Sequence, residues 1–178
     1  QCGLGRTGRP FYFQALDLRP DLISVGQALG AGVPIGAALV GERVAAAVAY
    51  GDPGSTYGGN LLACRAAVVF LEELMDRGLL GHIVKIGALA HQQLQELANR
   101  HTSIIDVRGE GMIWGIEVDS NTDAAAIVTA ALKRCLLINR TAGSVIRLLP
   151  PLTITEDELS TALATLEAAF NEAEARAS

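Results

Sequence analysis

The sequence predicts an α/β fold, and three observations lead to it. The first third of the chain is rich in glycine and carries apolar runs that are typical of strands buried on both faces. The remainder alternates helical apolar patterns with short strand-like runs. With 178 residues, 50% of them hydrophobic and 19% charged, the chain can form one domain or two small lobes around a sizeable core.

The elements of the glycine-rich part are short. Residues 11–21 (FYFQALDLRPD) are predicted to be helical or irregular, LISV and PIGAALVG are predicted strands, and ERVAAAVAYG is a predicted short helix. No charge interrupts Leu22 to Gly41, which is long enough to span a bilayer. Its five glycines and Pro34 favour a pair of buried strands instead, so no membrane association is expected.

Two long helices are predicted next. The first runs from Leu61 to Arg77, with Asn60 as its N-cap and Gly78 as its C-terminal stop. Its first half contains a single charged residue, Arg65, and is expected to be buried nearly all round. The second helix is predicted from about Leu80 to Arg100.

Shorter elements complete the chain. IIDVRGEGMIWGIEVD is predicted to form two strands around its glycines, followed by an alanine-rich helix over 122–135. LLIN and SVIRLL are predicted as two further strands. Thr155 and Glu158 form a capping-box pattern at the start of a last helix, which is predicted to run to about Glu174 before the chain end frays.

Composition excludes several classes of function. The net charge is −5, and the 12 arginines and 2 lysines are scattered, so no nucleic-acid interface is expected. Three cysteines far apart make neither a disulfide framework nor a metal spacing, and the three histidines show no metal spacing either. Together with a start, Gln-Cys-Gly, that is unlike a signal peptide, this favours free thiols in a reducing cytoplasm.

Two stretches could carry chemistry. The loop GDPGSTYGGN offers glycines for close backbone approach and the hydroxyls of Ser55 and Thr56, which together can hold a phosphate; an ordinary glycine-rich loop is the other interpretation. Arg147 stands on a predicted apolar strand before two prolines. Its guanidinium suits a substrate carboxylate, and a structural ion pair is the alternative.

Five stretches in order resemble the class III, pyridoxal-phosphate-dependent aminotransferases, and within them the acetylornithine and ornithine aminotransferases. They are QCGLGRTG, PDLISVGQALGAGVPIGA, GSTYGGN, VRGEGM and RLLPPLTIT. The resemblance implies a fold type I architecture. Residues 1–77 would be the end of a large cofactor-binding α/β domain, and residues 78–178 a small α+β C-terminal domain.

The resemblance also implies site residues. Gln1 would lie beside the hydroxyl of the pyridine ring of pyridoxal 5'-phosphate. Ser55 and Thr56 would bind the cofactor phosphate of a neighbouring subunit, and Arg147 would hold the α-carboxylate of an amino-acid substrate. The site would thus form across a homodimer, or in a pair with a full-length subunit. No metal is implied.

Two departures from the family pattern stand out. Gln27 occupies the position of the family's lysine, which forms the Schiff base with the cofactor and shuttles the substrate proton. An amide is neither a nucleophile nor an acid–base group near neutral pH. The family's first half is also absent from the sequence, so a partial and inactive copy is expected.

Three hypotheses follow. The chain is the C-terminal part of an acetylornithine-type aminotransferase of arginine biosynthesis, which moves an amino group between an N-acylated ornithine or similar ω-amine and 2-oxoglutarate. Alternatively, it is a non-catalytic pseudoenzyme, a cofactor-binding or interaction module. The third hypothesis is a decayed gene fragment. Gln27 counts against catalysis in each of them.

Overall fold

The computed structural model describes residues 1–177 and divides the chain into two compact units. Unit 1 contains residues 1–5 and 9–80, and unit 2 contains residues 6–8 and 81 onward. No described helix is both long and apolar enough to cross a membrane.

Unit 1 is built from short elements and one long helix. A 3₁₀ turn over Tyr12–Leu16 precedes strand β1 (Leu22–Val25), which pairs antiparallel with β2 (Ala37–Val40). A second 3₁₀ turn, Gln27–Gly30, lies between the two strands. Helix α1 spans Glu42–Ala45. The predicted strands are therefore present, although the second begins three residues later than its apolar pattern because Pro34 and Gly36 precede the paired segment.

Helix α2 (Leu61–Met75) begins where the sequence predicts. Asn60 caps it, since its side-chain oxygen accepts a hydrogen bond from the Ala63 N–H at 3.1 Å. A small core forms where buried Ala67 packs with Leu4 and Leu29, joined by partly buried apolar side chains. The expectation that the first half of α2 is buried all round is wrong: Leu61 is 87% exposed and Leu62 72% exposed.

Unit 2 is a four-stranded antiparallel sheet in the order β3-β4-β6-β5, with three helices. Helix α3 (Leu79–Arg100) enters this unit at Gly81, and strands β3 (Ile104–Glu110) and β4 (Ile113–Val118) follow it. Helix α4 (Ala124–Lys133), strands β5 (Asn139–Thr141) and β6 (Val145–Leu148), and helix α5 (Glu156–Ala177) complete it.

The core of unit 2 lies between one face of the sheet and its helices. Alternate residues of β4 are buried, as a strand with one covered face requires. The bulkiest fully buried side chains come from the sheet, from the β3–β4 turn and from all three helices; they include Ile83, Leu94, Met112, Ile116, Ile127, Ile146, Leu166 and Phe170.

Two boundaries in unit 2 differ from the sequence-based expectation. The predicted strand LLIN contributes only Asn139 to β5, because the chain is still leaving α4 through Cys135, whose φ of 62° ends the helix. Helix α5 continues to Ala177 rather than ending near Glu174, and Ser178, in the segment expected to fray, lies outside the described residues. The Thr155–Glu158 capping box is confirmed.

Candidate active site

Gln27 opens the 3₁₀ turn that follows β1, and its side chain is exposed. Its φ of 40° lies in the left-handed region, which a residue with a side chain enters at a cost of about 1–2 kcal/mol. The turn is fixed by a hydrogen bond from the Leu29 N–H to the Gly26 carbonyl at 3.0 Å, and Leu29 itself is buried. Unit 1 therefore holds position 27 outward on a constrained backbone.

Neither lysine of the chain belongs to the unit that contains Gln27. Lys85 lies on α3 and forms an ion pair with Glu156, while Lys133 on α4 lies 3.9 Å from Glu172. Both residues are part of unit 2. No lysine of unit 1 can therefore supply the amine that Gln27 lacks.

Ser55 and Thr56 lie in the loop that precedes α2, and both are exposed. Across residues 1–177, neither hydroxyl takes part in a hydrogen bond, so both can bind a ligand from solvent. Gly58 lies close beside them, since a Cβ atom there would stand 3.0 Å from the Cβ of Ser55 and would require Ser55 to shift. The helix end is only partly available to an anion, because Asn60 already engages the Ala63 N–H.

Arg147 lies on β6 in unit 2, half-buried. Its Nε donates a hydrogen bond to the Oδ1 atom of Asn139 at 3.3 Å. Asn139 is also its direct partner in the β5–β6 register. This contact is with a neutral amide oxygen, which helps to orient the guanidinium.

The candidate residues are divided between the two units. Gln1, Gln27, Ser55 and Thr56 belong to unit 1, and Arg147 belongs to unit 2. Gln1 is exposed at the start of the chain. No hydrogen bond joins Gln27 to either hydroxyl residue within the described part of the chain.

Sequence reasoning assigned no role to Arg6, which the structure places at a junction of three of the quoted stretches. Its Nη1 atom donates to the carbonyl oxygens of Met112 at 3.1 Å and Pro150 at 2.5 Å. Burial lowers the pKa of Arg6, yet a guanidinium remains charged at neutral pH. In the sequence, the only feature that could have indicated this role is the position of Arg6 within a glycine-rich stretch.

A buried polar cluster at the end of α3 was also missed. His101, 4% exposed, contacts Glu174 Oε2 through Nδ1 at 2.9 Å, and the Ser103 hydroxyl donates to the other oxygen of Glu174 at 2.5 Å. Glu174 therefore joins α5 to the segment after α3. No group of three or more potential metal ligands occurs among the described residues.

Comparisons of the sequence with protein families and with curated proteins both identify aminotransferases. The sequence profile described as "Aminotransferase class-III" matches residues 1–170. The acetylornithine aminotransferase of Methanothermobacter thermautotrophicus is 43% identical over 93% of this chain, and that of Methanocaldococcus jannaschii is 38% identical over 97%. The chain spans 42% and 43% of the length of these two relatives.

Solved structures of aminotransferases have a similar fold over nearly the whole chain. The acetylornithine aminotransferase of Elizabethkingia anophelis superposes with a TM-score of 0.87 at 33% identity, covering 97% of this chain and 46% of its own. The ornithine aminotransferase of Toxoplasma gondii, described with partial occupancy of PLP at its active site, has a TM-score of 0.91 at 34% identity, covering 99% of this chain and 42% of its own.

The fold is thus the α/β fold of the fold type I pyridoxal-phosphate enzymes. The chain belongs to the class III aminotransferase family. Pyridoxal phosphate is the cofactor of that family. The exposed hydroxyls of Ser55 and Thr56 are chemically suited to non-covalent contacts with a phosphate, and the amide of Gln27 is not suited to forming a covalent bond with an aldehyde.

Proposed function

We propose that the chain forms the small domain and the end of the large domain of an acetylornithine-type aminotransferase. The reaction would move an amino group between an N-acylated ornithine or similar ω-amine and 2-oxoglutarate, in arginine biosynthesis in the cytoplasm. The observation that carries this proposal is the 38–43% identity, over nearly the whole chain, to relatives named for that activity.

The candidate residues would contact the cofactor and the substrate. Gln1 lies beside the hydroxyl of the cofactor's ring. Ser55 and Thr56 hold the phosphate from a neighbouring subunit, which is supported by their exposed and unbonded hydroxyls. Arg147 binds the α-carboxylate, supported by its orientation through Asn139. Position 27 lacks the amine that a covalent bond to the cofactor would require.

A second function, non-catalytic binding, is favoured by Gln27 itself. Without a lysine, the cofactor's aldehyde has no covalent partner in unit 1, and an amide can offer only hydrogen bonds. The chain would then be a pseudoenzyme that holds pyridoxal phosphate or its amine form reversibly.

Assembly with a second subunit is part of the proposal, as a homodimer or as a pair with a full-length subunit. Its support is the exposed apolar surface around the start of α2. Tyr57 is 83% exposed, Leu61 87% and Leu62 72%, and adjacent large apolar side chains left in water are typical of interaction surfaces.

The test uses the full chain and its Gln27→Lys variant side by side. Each is mixed with pyridoxal phosphate, reduced with borohydride, digested and analysed by mass spectrometry. We expect a reduced adduct at residue 27 in the variant and none at a specific lysine in the wild type. An adduct at one specific lysine of the wild type would contradict the proposed role of position 27.

Activity is measured in the same pair of proteins with N-acetylornithine and 2-oxoglutarate. Transamination by Gln27→Lys and not by the wild type supports an aminotransferase that lacks only its nucleophile. Tight reversible cofactor binding by the wild type, with no turnover by either protein, favours the non-catalytic function. Absence of cofactor binding by both proteins would contradict both functions.

A further inference from the structure

Gln27 carries the polar side chain of the 3₁₀ turn Gln27–Gly30, whose other residues are alanine, leucine and glycine. The side chain of Gln27 is exposed. Across residues 1–177, its amide neither donates nor accepts a hydrogen bond. The amide oxygen and the NH₂ group are therefore both free to contact a ligand.

The backbone that carries Gln27 is fixed by its own turn. The Leu29 N–H donates to the Gly26 carbonyl at 3.0 Å, and the Ala31 N–H donates to the Ala28 carbonyl at 3.0 Å. Leu29 is buried in the small core of unit 1. A ligand that contacts the Gln27 amide therefore has to order one side chain and no backbone, which lowers the entropic cost of that contact.

No charge lies along the segment that carries Gln27. Residues 22–41 contain no aspartate, glutamate, lysine or arginine. Asp21, just before this segment, is paired with Arg43, whose Nη2 atom lies 2.6 Å from Oδ2 of Asp21. Within this segment, the ligand group that meets position 27 is therefore selected by an amide dipole, and not by a carboxylate or an ammonium group.

An amide distinguishes the two forms of the cofactor at the one group in which they differ. The aldehyde form carries a neutral carbonyl there, and the amine form carries a protonated primary amine. A lysine would hold the aldehyde through a covalent bond, which the Gln27 amide cannot form. A charge-assisted hydrogen bond from an ammonium group to the amide oxygen is roughly twice as strong as a neutral one from the amide N–H to an aldehyde.

We infer that Gln27 makes pyridoxamine 5'-phosphate, the amine form of the cofactor, the form that this chain binds more tightly. The side-chain oxygen of Gln27 accepts a hydrogen bond from the ammonium group of that ligand. This inference rests on the proposed function, which brings the cofactor to position 27. It goes beyond that function because it names one form of the cofactor and requires no enzymatic turnover.

The test measures, by calorimetry, the affinity of the full chain for two ligands that cannot react with a lysine. They are pyridoxamine 5'-phosphate and 4'-deoxypyridoxine 5'-phosphate, which has a methyl group in place of the aminomethyl group. We expect the amine to bind the wild type about 3- to 10-fold more tightly, because one charge-assisted hydrogen bond is added. Pyridoxal 5'-phosphate, measured in competition with the amine, should also bind less tightly than the amine.

Three variants test whether the preference comes from position 27. Gln27→Leu should bind pyridoxamine 5'-phosphate and the methyl analogue equally. Gln27→Lys should bind pyridoxamine 5'-phosphate more weakly than the wild type does, because two ammonium groups repel each other. Gln92→Leu, at an exposed glutamine of α3, is the matched control and should keep the preference of the wild type.

The outcomes separate this inference from the proposed function. Equal binding of the amine and its methyl analogue by the wild type, or tighter binding of pyridoxal 5'-phosphate, would overturn the inference and leave the proposed cofactor binding intact. A preference for the amine that persists in Gln27→Leu would overturn the role of Gln27. No binding of any of the three ligands would overturn both proposals. Should Gln27→Leu unfold, the comparison of the ligands on the wild type still decides.

Discussion

Arg6 and Met112 are joined by two hydrogen bonds of opposite direction. The Met112 N–H donates to the Arg6 carbonyl at 2.8 Å, and Arg6 Nη1 donates to the Met112 carbonyl at 3.1 Å. The same Nη1 atom reaches the Pro150 carbonyl. One side chain thus ties the segment 6–8 to the β3–β4 turn and to the segment after β6.

Removing this side chain should destabilise unit 2. We expect Arg6→Ala to lower the free energy of unfolding by about 2–4 kcal/mol, because two charge-assisted hydrogen bonds to partly buried carbonyls are lost. Chemical denaturation followed by circular dichroism measures it. Arg9→Ala, at an exposed position nearby, is the control and should change stability by less than about 0.5 kcal/mol. Equal effects of the two substitutions would contradict the assigned role.

Two glycines of α3 should respond to alanine with opposite signs. A Cβ at Gly87 would stand 2.7 Å from the Cα of Gly111, so Gly87→Ala should cost about 1–3 kcal/mol through forced displacement of the turn. A Cβ at Gly81 meets nothing within 4 Å, so Gly81→Ala should add roughly 0.5–1 kcal/mol by raising helix propensity. The melting temperature of each variant is compared with that of the wild type. Unchanged or increased stability in Gly87→Ala would show that α3 does not approach the turn so closely.

Strain at position 27 can be measured without any ligand. Gln27 has a φ of 40°, which glycine adopts without steric cost, so Gln27→Gly should stabilise the chain by about 0.5–1 kcal/mol after the entropy of glycine is subtracted. Ala28→Gly, one residue on and without a positive φ, should destabilise it. A loss of stability in Gln27→Gly would mean that the backbone there is relaxed in solution.

The capping box of α5 should make stability depend on pH. Hydrogen bonds from the backbone N–H of Thr155 first, and then from its hydroxyl, lower the pKa of Glu158. A carboxyl whose pKa is lower in the folded state stabilises the fold above its unfolded pKa, and this contribution is lost as pH falls through the folded pKa.

The Glu158→Gln variant tests the direction of this pH dependence. The wild type should be the more stable of the two at pH 7, and the difference should shrink as pH falls from about 4.5 through the lowered folded pKa. Thr155→Ala should cost about 1 kcal/mol at pH 7, while Thr155→Ser, which keeps the hydroxyl, should cost little. Melting temperatures of the wild type and of Glu158→Gln are measured from pH 7 down to acid pH. A difference in melting temperature that does not change with pH would rule out ionised Glu158 as the partner of Thr155.

Local signals in the sequence predicted much of the fold. The start of α2 at Leu61, the span of α3 and the Thr155–Glu158 box all follow from caps and helical spacing, which act within a few residues. The strand at LLIN was misplaced because β pairing depends on a distant partner: Asn139 enters β5 through its register with Arg147.

The candidate site was predictable only in part. Ser55, Thr56 and Arg147 stood out by their own chemistry, with an ordinary loop and an ion pair as alternatives, whereas Gln27 was identified only through resemblance to a family. The exposure of Leu61 and Leu62 could not be foreseen, since apolar composition does not say which surface covers a side chain. The hydrogen bonds from Arg6 to Met112 and from Arg147 to Asn139 join residues that are 106 and 8 positions apart in sequence, and no periodic pattern predicts them.

The antiparallel sheet of unit 2 also bears on the kinetics of folding. Strands β3 and β4 are joined by two residues, and β5 and β6 by three, so each hairpin can close within microseconds of chain collapse. Pairing of β4 with β6 encloses the α4 segment and carries a larger loop-closure entropy. The meeting of the two hairpins, which places Gly115 beside Arg147, should therefore be the later and rate-limiting event in forming this sheet.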